Sequence, residues 1–301
     1  MNARLIVNPV AGRGKAERNL SMITEYFTAR RLELDICRTD GVTGATELAR
    51  CAGDDDCELV IVAGGDGTIN EVVNGLVGSE TVLGIIPLGT SNVVARGLKL
   101  PLDIKEACQV VLEGVGKRID VGKAGERYFL AMAGVGFDAQ VVYELSLKAK
   151  NLLGSLAYVA SCFRTAMKYR SAKLVMDIRV DEEQLTVPAW VVIIGNVSTY
   201  AWTLKPTHLA SVDDGLLDVC IFGRSNWLGL IYQCVGVFYG RHIYHPEVKY
   251  IKAKTIEVDA QPSVPVQVDG DIVGKTPMRF EVVPRGLCIM CPKELDDVVI
   301  S

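Results

Sequence analysis

The 301-residue sequence carries little charge of either sign and no strong imbalance between the two. Lys and Arg total 32 against 36 Asp and Glu, which leaves a formal net charge of −4. Because nucleic-acid-binding surfaces are basic, we expect no nucleic acid partner. The balance also provides no global attraction to anionic membranes, so any membrane contact would have to be local.

Long hydrophobic runs and organised cysteines are missing as well. No basic segment followed by an apolar segment opens the chain, so we expect a cytoplasmic protein. The apolar helical run at residues 227–239 is too short to span a bilayer. Nine cysteines, an odd number scattered through apolar segments, are typical of reduced core cysteines. Cys288 and Cys291 would point to opposite faces of a strand, so we predict no metal or redox role for this C-x-x-C.

The sequence does have a high hydrophobic fraction, 49%. This composition fits an enzyme with an apolar substrate, and it fits a parallel sheet that is buried on both faces equally well. The most informative stretch is residues 59–76, LVIVAGGDGTINEVVNGL. A β-branched run ends at Gly64, and apolar residues resume with a helical period at Ile69. The stretch therefore predicts a strand, a tight turn and a helix.

The turn in this stretch is suited to phosphate. Gly64, Gly65 and Gly67 are expected to allow positive φ and to let a bulky polyanion approach the backbone. Thr68 and Glu71 have the spacing of a capping box, which predicts that the helix begins at the end of the turn. The unpaired N–H groups and partial positive charge of a helix N-terminus favour phosphate.

Asp66 is the acid within this turn. A carboxylate beside phosphate repels it unless a cation bridges the two, so a phosphate site here implies a divalent metal such as Mg²⁺. The alternative is a glycine-rich turn that only packs a helix on a sheet, with Asp66 as a surface turn residue.

A glycine-rich turn also follows the first predicted strand, residues 4–7. It contains Asn8, Gly12 and Lys15, but it is not a P-loop, because GxxxxGK[ST] is absent. Such a turn can cradle phosphate in the same way. The alternative is that Lys15 is a solvated lysine in the first helical turn.

Residues 83–86 form a predicted strand that leads into PLGTSN, a loop with a glycine, hydroxyls and an amide. Up to this point the predicted elements alternate between strand and helix. The alternation predicts an α/β domain at residues 1–122, with a doubly wound parallel sheet and ligands at the carboxyl ends of its strands.

After a predicted helix at residues 103–113, strands follow without regularly intervening helices. This pattern predicts a mainly antiparallel β-sandwich at residues 123–291, with the tail at about 292–301 as a candidate to return to the first domain. We interpret the helical segments at 137–170 and 225–240 as helices that pack against the rest of the protein. The alternative for the first is a helix at the membrane surface, and the alternative for the second is a lipid-binding slot. The predicted strands are residues 118–121, 128–133, 174–180, 189–195, 217–222, 252–258, 264–268, 279–283 and 287–290.

Two acidic turns lie in this second half. Residues 266–276, VQVDGDIVGKT, contain Asp269 and Asp271, which alternation on an extended segment would put on one face. A hairpin turn is the alternative. Residues 211–218, SVDDGLLD, predict a tight loop between strands, because Asp-Gly is a strong turn signal.

GGDGT followed by NEVVNGL resembles the nucleotide-binding motif of the diacylglycerol kinase catalytic-domain family, which includes bacterial diacylglycerol kinases, related lipid kinases and sphingosine kinases. The opening Asn-Pro, Gly and Lys are similar to the family's first motif, and PLGTSN is similar to its second loop, PxGTxNDFAR. Val93 departs from this pattern, because many bacterial members have Asp there. NAD kinases share GGDGT, but the continuation, PLGTSN and the late DGD are lipid-kinase features.

The resemblance implies an NAD-kinase-like α/β domain, a β-sandwich, and transfer of the γ-phosphate of ATP to a lipid hydroxyl at the interdomain cleft. It implies Asp66 and Asp271 as catalytic residues, with Asp271 as the base where the family has the Glu of DGE. Asp269 and Arg96 are implied as substrate or accessory residues. The implied nucleotide-binding residues are Asn8, Gly12, Lys15, Gly64, Gly65, Asp66, Gly67, Thr68, Glu71, Gly89, Thr90 and Asn92.

The resemblance also implies cofactors and partners. ATP and Mg²⁺ would serve the transfer, and a structural Mg²⁺ or Ca²⁺ would bind the Asp214 side chain and the carbonyl oxygens of Ser211 and Leu216. Diacylglycerol or a related lipid would be met at the membrane surface by a transiently associated enzyme. An NAD kinase-like enzyme and a non-catalytic lipid-binding regulator stay open as alternatives. The sequence does not choose the lipid, and it leaves open whether the chain forms a homodimer.

Overall fold

The computed structural model describes residues 2–40, 44–55, 57–148, 174–199 and 204–293. The chain forms two compact units. Unit 1 comprises Met1–Val121, Ser211–Asp214 and Val283–Ser301, and unit 2 comprises Gly122–Ala210 and Gly215–Val282. The sequence-based division has one boundary, at residue 122, and only the tail returning to the first domain. In the structure, the loop at Ser211 and the chain from Val283 onwards also belong to unit 1.

Unit 1 is built on a parallel sheet. Its strands are β1 (Ala3–Val7), β2 (Leu34–Arg38), β3 (Leu59–Gly64) and β4 (Val82–Pro87), in the order β2-β1-β3-β4. All six residues of β3 are buried, as the continuous apolar run predicts for a strand covered on both faces. The predicted α/β class is confirmed for this part of the chain.

Helices alternate with these strands. They are α1 (Ala11–Thr28), α2 (Ala45–Asp54), α3 (Asp66–Leu76), α4 (Val93–Gly97) and α5 (Ile104–Glu113). α1 buries Leu20, Ile23 and Phe27, which are spaced three and four residues apart, in one apolar cluster with β1, β3 and α5. α5 begins after Asp103, whose carboxylate accepts hydrogen bonds from the N–H groups of Lys105 and Glu106.

Unit 2 is mainly antiparallel, and the predicted β-sandwich is confirmed. One sheet has the order β12-β11-β10-β7-β14-β15, and β16-β13-β8-β9 form the other. Alternate residues of both sheets, such as Ile178, Val192, Val219 and Val258, share one buried core. The strands after β4 are β5 (Val115–Ala124), β6 (Arg127–Phe129), β7 (Met132–Gly136), β8 (Val175–Val180), β9 (Glu183–Val187), β10 (Ala189–Gly195), β11 (Leu217–Gly223), β12 (Val248–Ala253), β13 (Thr255–Gln261), β14 (Pro265–Val268), β15 (Asp271–Lys275) and β16 (Met278–Cys291). Of these, β5 up to Val121 and β16 from Val283 onwards belong to unit 1.

Several predicted strand boundaries were wrong, for identifiable reasons. The strand predicted at 252–258 is split between β12 and β13 at Lys254, whose N–H donates to the carboxylate of Asp181. The strands predicted at 279–283 and 287–290 are one continuous strand, β16. β9 and β15 were not predicted, because their short sequences, EQLTV and DIVGK, contain only two apolar residues each.

Two helices interrupt the strands of unit 2. The segment predicted at 137–170 begins as α6 (Phe137–Lys148), and residues 149–170 of that prediction lie outside the described residues. The segment predicted at 225–240 is α7 (Trp227–Tyr239). The side-chain oxygen of Asn226 caps its first turn, and Gly240, at φ +67°, ends it. Within the described ranges, no helix combines the length and apolar character needed to cross a membrane.

Candidate active site

Three candidate loops of unit 1 lie along one edge of its sheet. β1, β3 and β4 are parallel neighbours, with Val7 paired to Ala63 and Gly64 paired to Pro87, so the loops that follow them share the carboxyl edge. The side-chain N–H of Asn8 donates to the hydroxyl of Thr68 at 3.0 Å, which ties the first loop to the second.

Close packing requires glycine at several positions of these loops. A Cβ on Gly89 would lie 2.8 Å from the Cα of Gly65, so the second and third loops touch backbone to backbone. Gly12 combines φ +58° with a hypothetical Cβ only 2.0 Å from the carbonyl oxygen of Leu88. The expectation of positive φ in the GGDG turn was wrong, since Gly65 has φ −92° and neither Gly64 nor Gly67 lies in the positive-φ region. Around Gly67 the space is open.

The predicted capping box at Thr68 and Glu71 was also wrong. α3 begins at Asp66, three residues earlier than a Thr68 cap allows, and its N-cap position is Gly65, which has no side chain. Thr68 instead accepts the hydrogen bond from Asn8, and the Glu71 carboxylate accepts one from the N–H of Ala45 at the start of α2. The first turn of α3 therefore keeps N–H groups without a side-chain cap, beside the open space at Gly67.

Asp66 lies partly buried against the start of α4. Its Oδ1 accepts a hydrogen bond from the N–H of Val94 at 3.1 Å. Burial raises the pKa of Asp66 above its ordinary value, and the N–H groups of Asn92, Val93 and Val94 oppose that rise only in part. Asn92 itself has φ +48°, and its buried Oδ1 has no hydrogen-bond partner within the described part of the chain. An acidic oxygen and an unsatisfied amide oxygen thus occur in adjoining loops.

The remaining candidates of unit 1 surround this edge. Regular helix in α1 begins only after Gly12, Arg13 and Gly14, all at positive φ, so Lys15 is at the true start of the helix. Among the described residues, no hydrogen bond or ion pair of the Lys15 ammonium group is found. Thr90 is exposed, and the exposed Arg96 donates from Nε to the carbonyl oxygen of Ser91 at 3.1 Å, which braces the third loop.

The acidic turn at Asp269 and Asp271 is the candidate site of unit 2. Asp269 and Gly270 both have positive φ, +46° and +97°, and form the hairpin turn between β14 and β15. The expectation that both acids share one face of an extended segment was wrong, because Asp269 lies in the turn. Asp271 is the first residue of β15, and it is exposed.

The carboxylate of Asp269 is committed to the backbone. It accepts hydrogen bonds from three consecutive N–H groups, those of Leu130, Ala131 and Met132, at 2.8–2.9 Å. These bonds also separate β6 from β7, where one strand had been predicted at 128–133. Bonds to a charged acceptor are the stronger ones in proteins, so Asp269 holds the hairpin in place.

Sequence reasoning missed Gln267 and Asp138, which support this hairpin. The buried Gln267 donates from Nε2 to Oδ2 of Asp138 at 2.7 Å, and its Oε1 accepts from the N–H of Gly270 at 2.8 Å. Desolvation raises the pKa of Asp138 to about 6, although the bond from Gln267 lowers it. The available signal was a lone glutamine in the apolar strand PVQV, since a buried polar side chain needs a partner.

The loop predicted to hold a structural cation contains a different ion pair. Lys117 Nζ lies 2.8 Å from Oδ2 of Asp213, and the hydroxyl of Ser211 donates to the other oxygen of Asp213. Lys117 and Ser211 lower the pKa of Asp213, while Asp214 is exposed. The described residues contain no group of three or more His, Cys, Asp or Glu side chains placed to hold a metal.

Comparison with known proteins assigns these features to one family. Residues 2–124 match the diacylglycerol kinase catalytic domain, and residues 131–291 match the YegS C-terminal NAD kinase beta sandwich-like domain. A diacylglycerol kinase of Staphylococcus saprophyticus is 33% identical over 297 residues, which cover 97% of this chain and 96% of the relative. The chain belongs to the diacylglycerol kinase family.

Further similarities agree with this assignment. A diacylglycerol kinase of Staphylococcus carnosus is 32% identical, again over 97% of this chain and 96% of the relative. The crystal structure of a diacylglycerol kinase from Bacillus anthracis superposes with a TM-score of 0.78 and 28% identity, and the alignment covers 98% of each chain. As a member of the diacylglycerol kinase family, the protein is an ATP-dependent lipid kinase, as the resemblance implied.

The raised pKa of Asp138 predicts a pH-dependent effect of Asp138→Asn on stability. In the folded kinase Asp138 ionises near pH 6 rather than at its ordinary value of 3.8, so its charge destabilises the fold above that window. The asparagine keeps an oxygen for Gln267 without the charge. At pH 8 the variant should therefore be more stable, by at most about 3 kcal/mol.

Urea unfolding of both proteins at pH 5, 6.5 and 8 measures this difference. The gain should shrink as the pH falls through the window from about 6 to about 4, because wild-type Asp138 is then protonated in the folded state. Glu126→Gln, at an exposed acid, is the matched control and should show no such trend. A stability difference between the variant and the wild type that is independent of pH would contradict the raised pKa of Asp138.

Proposed function

We propose that this kinase transfers the γ-phosphate of Mg²⁺-bound ATP to diacylglycerol or a closely related lipid alcohol taken from a membrane surface. The observation that carries the proposal is the convergence of three strand-end loops in unit 1, joined by the backbone contact of Gly65 with Gly89. The family gives the reaction type. The similar proteins are named diacylglycerol kinases, which makes diacylglycerol the first lipid to test.

The loops of unit 1 offer groups for the phosphates of ATP. Lys15 supplies a positive charge at the start of α1, and the uncapped N-terminus of α3 supplies N–H donors beside Gly67, where the described residues leave space open around the position of a Cβ. Asn8, Thr90 and Asn92 supply polar groups along the same edge. Transfer of a phosphoryl group depends mainly on positioning and charge neutralisation, and these are the contributions that such groups make.

Asp66 is the residue we assign to the catalytic divalent cation. The N–H of Val94 holds its carboxylate at the start of α4 by a bond to Oδ1, and Oδ1 of Asn92, which has no hydrogen-bond partner among the described residues, is a second hard ligand. A bound Mg²⁺ supplies positive charge against the phosphate oxygens. Val93 contributes no carboxylate, so this chain would rely on Asp66 where many bacterial members have two acids.

Asp271 is the residue we assign as general base. Its exposure leaves the carboxylate accessible to a lipid hydroxyl, whose proton it would accept as the oxygen attacks the γ-phosphorus. Asp269 is unsuited to this role, because three N–H donors already occupy its oxygens. Asp269 and Gln267 instead hold the turn that presents Asp271.

An assay with radiolabelled ATP tests the proposed substrate. Vesicles that contain diacylglycerol should yield labelled phosphatidic acid, while vesicles with sphingosine or phosphatidylglycerol, and NAD in solution, should remain unlabelled. Label in NAD alone would indicate an NAD kinase-like enzyme. Absence of label in every lane would favour a lipid-binding regulator.

Asp66→Asn and Asp271→Asn should each lower kcat by about a hundredfold or more, for different reasons. Asp66→Asn removes the charge that holds the cation, so the Mg²⁺ concentration for half-maximal rate should also rise. Asp271→Asn removes only the base, so the KM for ATP should stay near that of the wild type.

Two further variants complete this experiment. Glu33→Gln, at an exposed acid of unit 1, controls for loss of one negative charge and should keep full activity. Asp271→Glu should retain part of the activity if the longer side chain can still reach the hydroxyl. Full activity in Asp271→Asn would show that the base lies elsewhere.

We also assign Asp214, with the carbonyl oxygen of Ser211, to a structural divalent cation. A ligand that binds only the folded state adds stability by mass action, so EDTA should lower the Tm of the wild type and leave Asp214→Ala almost unchanged. Asp213→Asn is the matched control, because Asp213 is paired with Lys117, and it should remain sensitive to EDTA. Equal shifts of Tm by EDTA in all three proteins would indicate that the loop is a turn without a bound cation.

A further inference from the structure

α7 exposes large apolar side chains and buries small and polar ones, the reverse of an ordinary surface helix. Leu228 is 78% exposed and Tyr239 75% exposed. Four more large residues between them are exposed at helical spacing, namely Ile231, Tyr232, Val235 and Phe238. The opposite, buried side carries Gly229, Gln233 and Gly236, and Gly240 follows at the end of the helix. We call the exposed set the apolar face of α7.

The orientation of α7 is determined by its buried side. A Cβ on Gly236 would lie 2.7 Å from the backbone N of His242, so the helix lies in close contact with the turn that follows it. The buried Gln233 accepts from Nε1 of Trp190 at 3.2 Å and donates to the carbonyl oxygen of Gly223 at 3.3 Å. Rolling the helix to bury its apolar face would break these bonds, which leaves the face directed at solvent.

Exposed basic residues flank the apolar face. No acidic residue occurs in the sequence between Asp218 and Glu247, although the whole chain has a net charge of −4. The exposed Arg224 precedes the helix and the exposed Arg241 follows it. The exposed Lys205 lies alongside, since its backbone N–H donates to the carbonyl oxygen of Val237. A local positive patch of this kind favours anionic phospholipid headgroups.

Aromatic residues with polar tips add to this pattern. Tyr239 ends the helix, and Tyr244 in the following turn is 76% exposed. Tyr232 contacts the same turn, because its hydroxyl donates to the carbonyl oxygen of Arg241. Tyrosine is enriched at membrane interfaces, where its ring meets the apolar layer and its hydroxyl meets water.

We infer that α7 is the surface by which this kinase docks on anionic bilayers, with its apolar face at the boundary between headgroups and acyl chains. The inference rests on the proposed function, in which the lipid substrate is taken from a membrane. A helix of 13 residues is about 20 Å long, too short to span, so it would lie in the plane of the interface. A second copy of the chain is the less suitable occupant, because two identical basic rims would repel each other.

Vesicle sedimentation tests the docking surface. Wild-type protein should bind vesicles of phosphatidylcholine and phosphatidylglycerol, and the double variant Leu228→Glu/Val235→Glu should bind them at least about tenfold more weakly. Val175→Glu, at an exposed valine of β8, is the matched control and should bind like the wild type. The double variant Arg224→Gln/Arg241→Gln should show a weaker preference for these anionic vesicles over vesicles of phosphatidylcholine alone. Equal binding of wild type and Leu228→Glu/Val235→Glu would overturn the inference.

Two readouts separate this inference from the proposed function. With a short-chain diacylglycerol dissolved as monomers, Leu228→Glu/Val235→Glu should keep wild-type turnover, while its turnover on vesicle-bound diacylglycerol falls. A wild type inactive on both substrates would contradict the proposed substrate without affecting the sedimentation result. A wild-type dimer that dissociates in the double variant, without any loss of vesicle binding, would show that a second copy covers α7 and would overturn the docking surface.

Discussion

The contact between Gly65 and Gly89 is the constraint on which the candidate site of unit 1 depends. Two loops from neighbouring strands approach closely enough that a Cβ on either residue would meet the other backbone. This approach brings the start of α3 to the start of α4, so that Asp66 bonds to the N–H of Val94. Gly65 and Gly89 therefore position a carboxylate through steric fit, and neither has a positive φ angle.

Unit 2 uses charge where unit 1 uses close packing. Asp269 bonds to three consecutive N–H groups, and Gln267 links the same hairpin to Asp138. Leaving any of these groups buried without a partner would destabilise the fold by about 1–3 kcal/mol, which makes the hairpin strongly specified. An exposed acid, Asp271, is thereby held on a rigid turn. The two neighbouring acids differ in environment, because the backbone bonds the carboxylate of Asp269 and that of Asp271 is exposed.

Hydrophobic residues make up 49% of the sequence, and not all of them lie in the cores. α7 places six large apolar side chains on the surface, and Gly and Gln on its buried side. Composition alone could not decide whether the hydrophobic fraction reflects an apolar substrate or a parallel sheet buried on both faces. The structure contains the buried sheet and also the exposed apolar face of α7. For an enzyme whose substrate is a lipid, this apolar surface with its basic rim is the membrane-docking surface that we infer.

The sequence by itself determined the alternating strands and helices of unit 1, the antiparallel character of unit 2, and the loops that carry the family motifs. These features follow from local periodicity and from glycine-rich motifs, which can be identified without knowing which distant residues they contact. Only the tertiary structure decided that Thr68 bonds to Asn8, that Glu71 bonds to Ala45, and that Asp269 bonds to Leu130. These partners are far apart in sequence, and a capping box or an alternating pair of acids looks the same locally whichever partner the fold provides. The orientation of α7 was decided in the same way, because periodicity ordinarily predicts that the apolar side of a helix is buried, and only the contacts of Gly236 and Gln233 reverse that orientation.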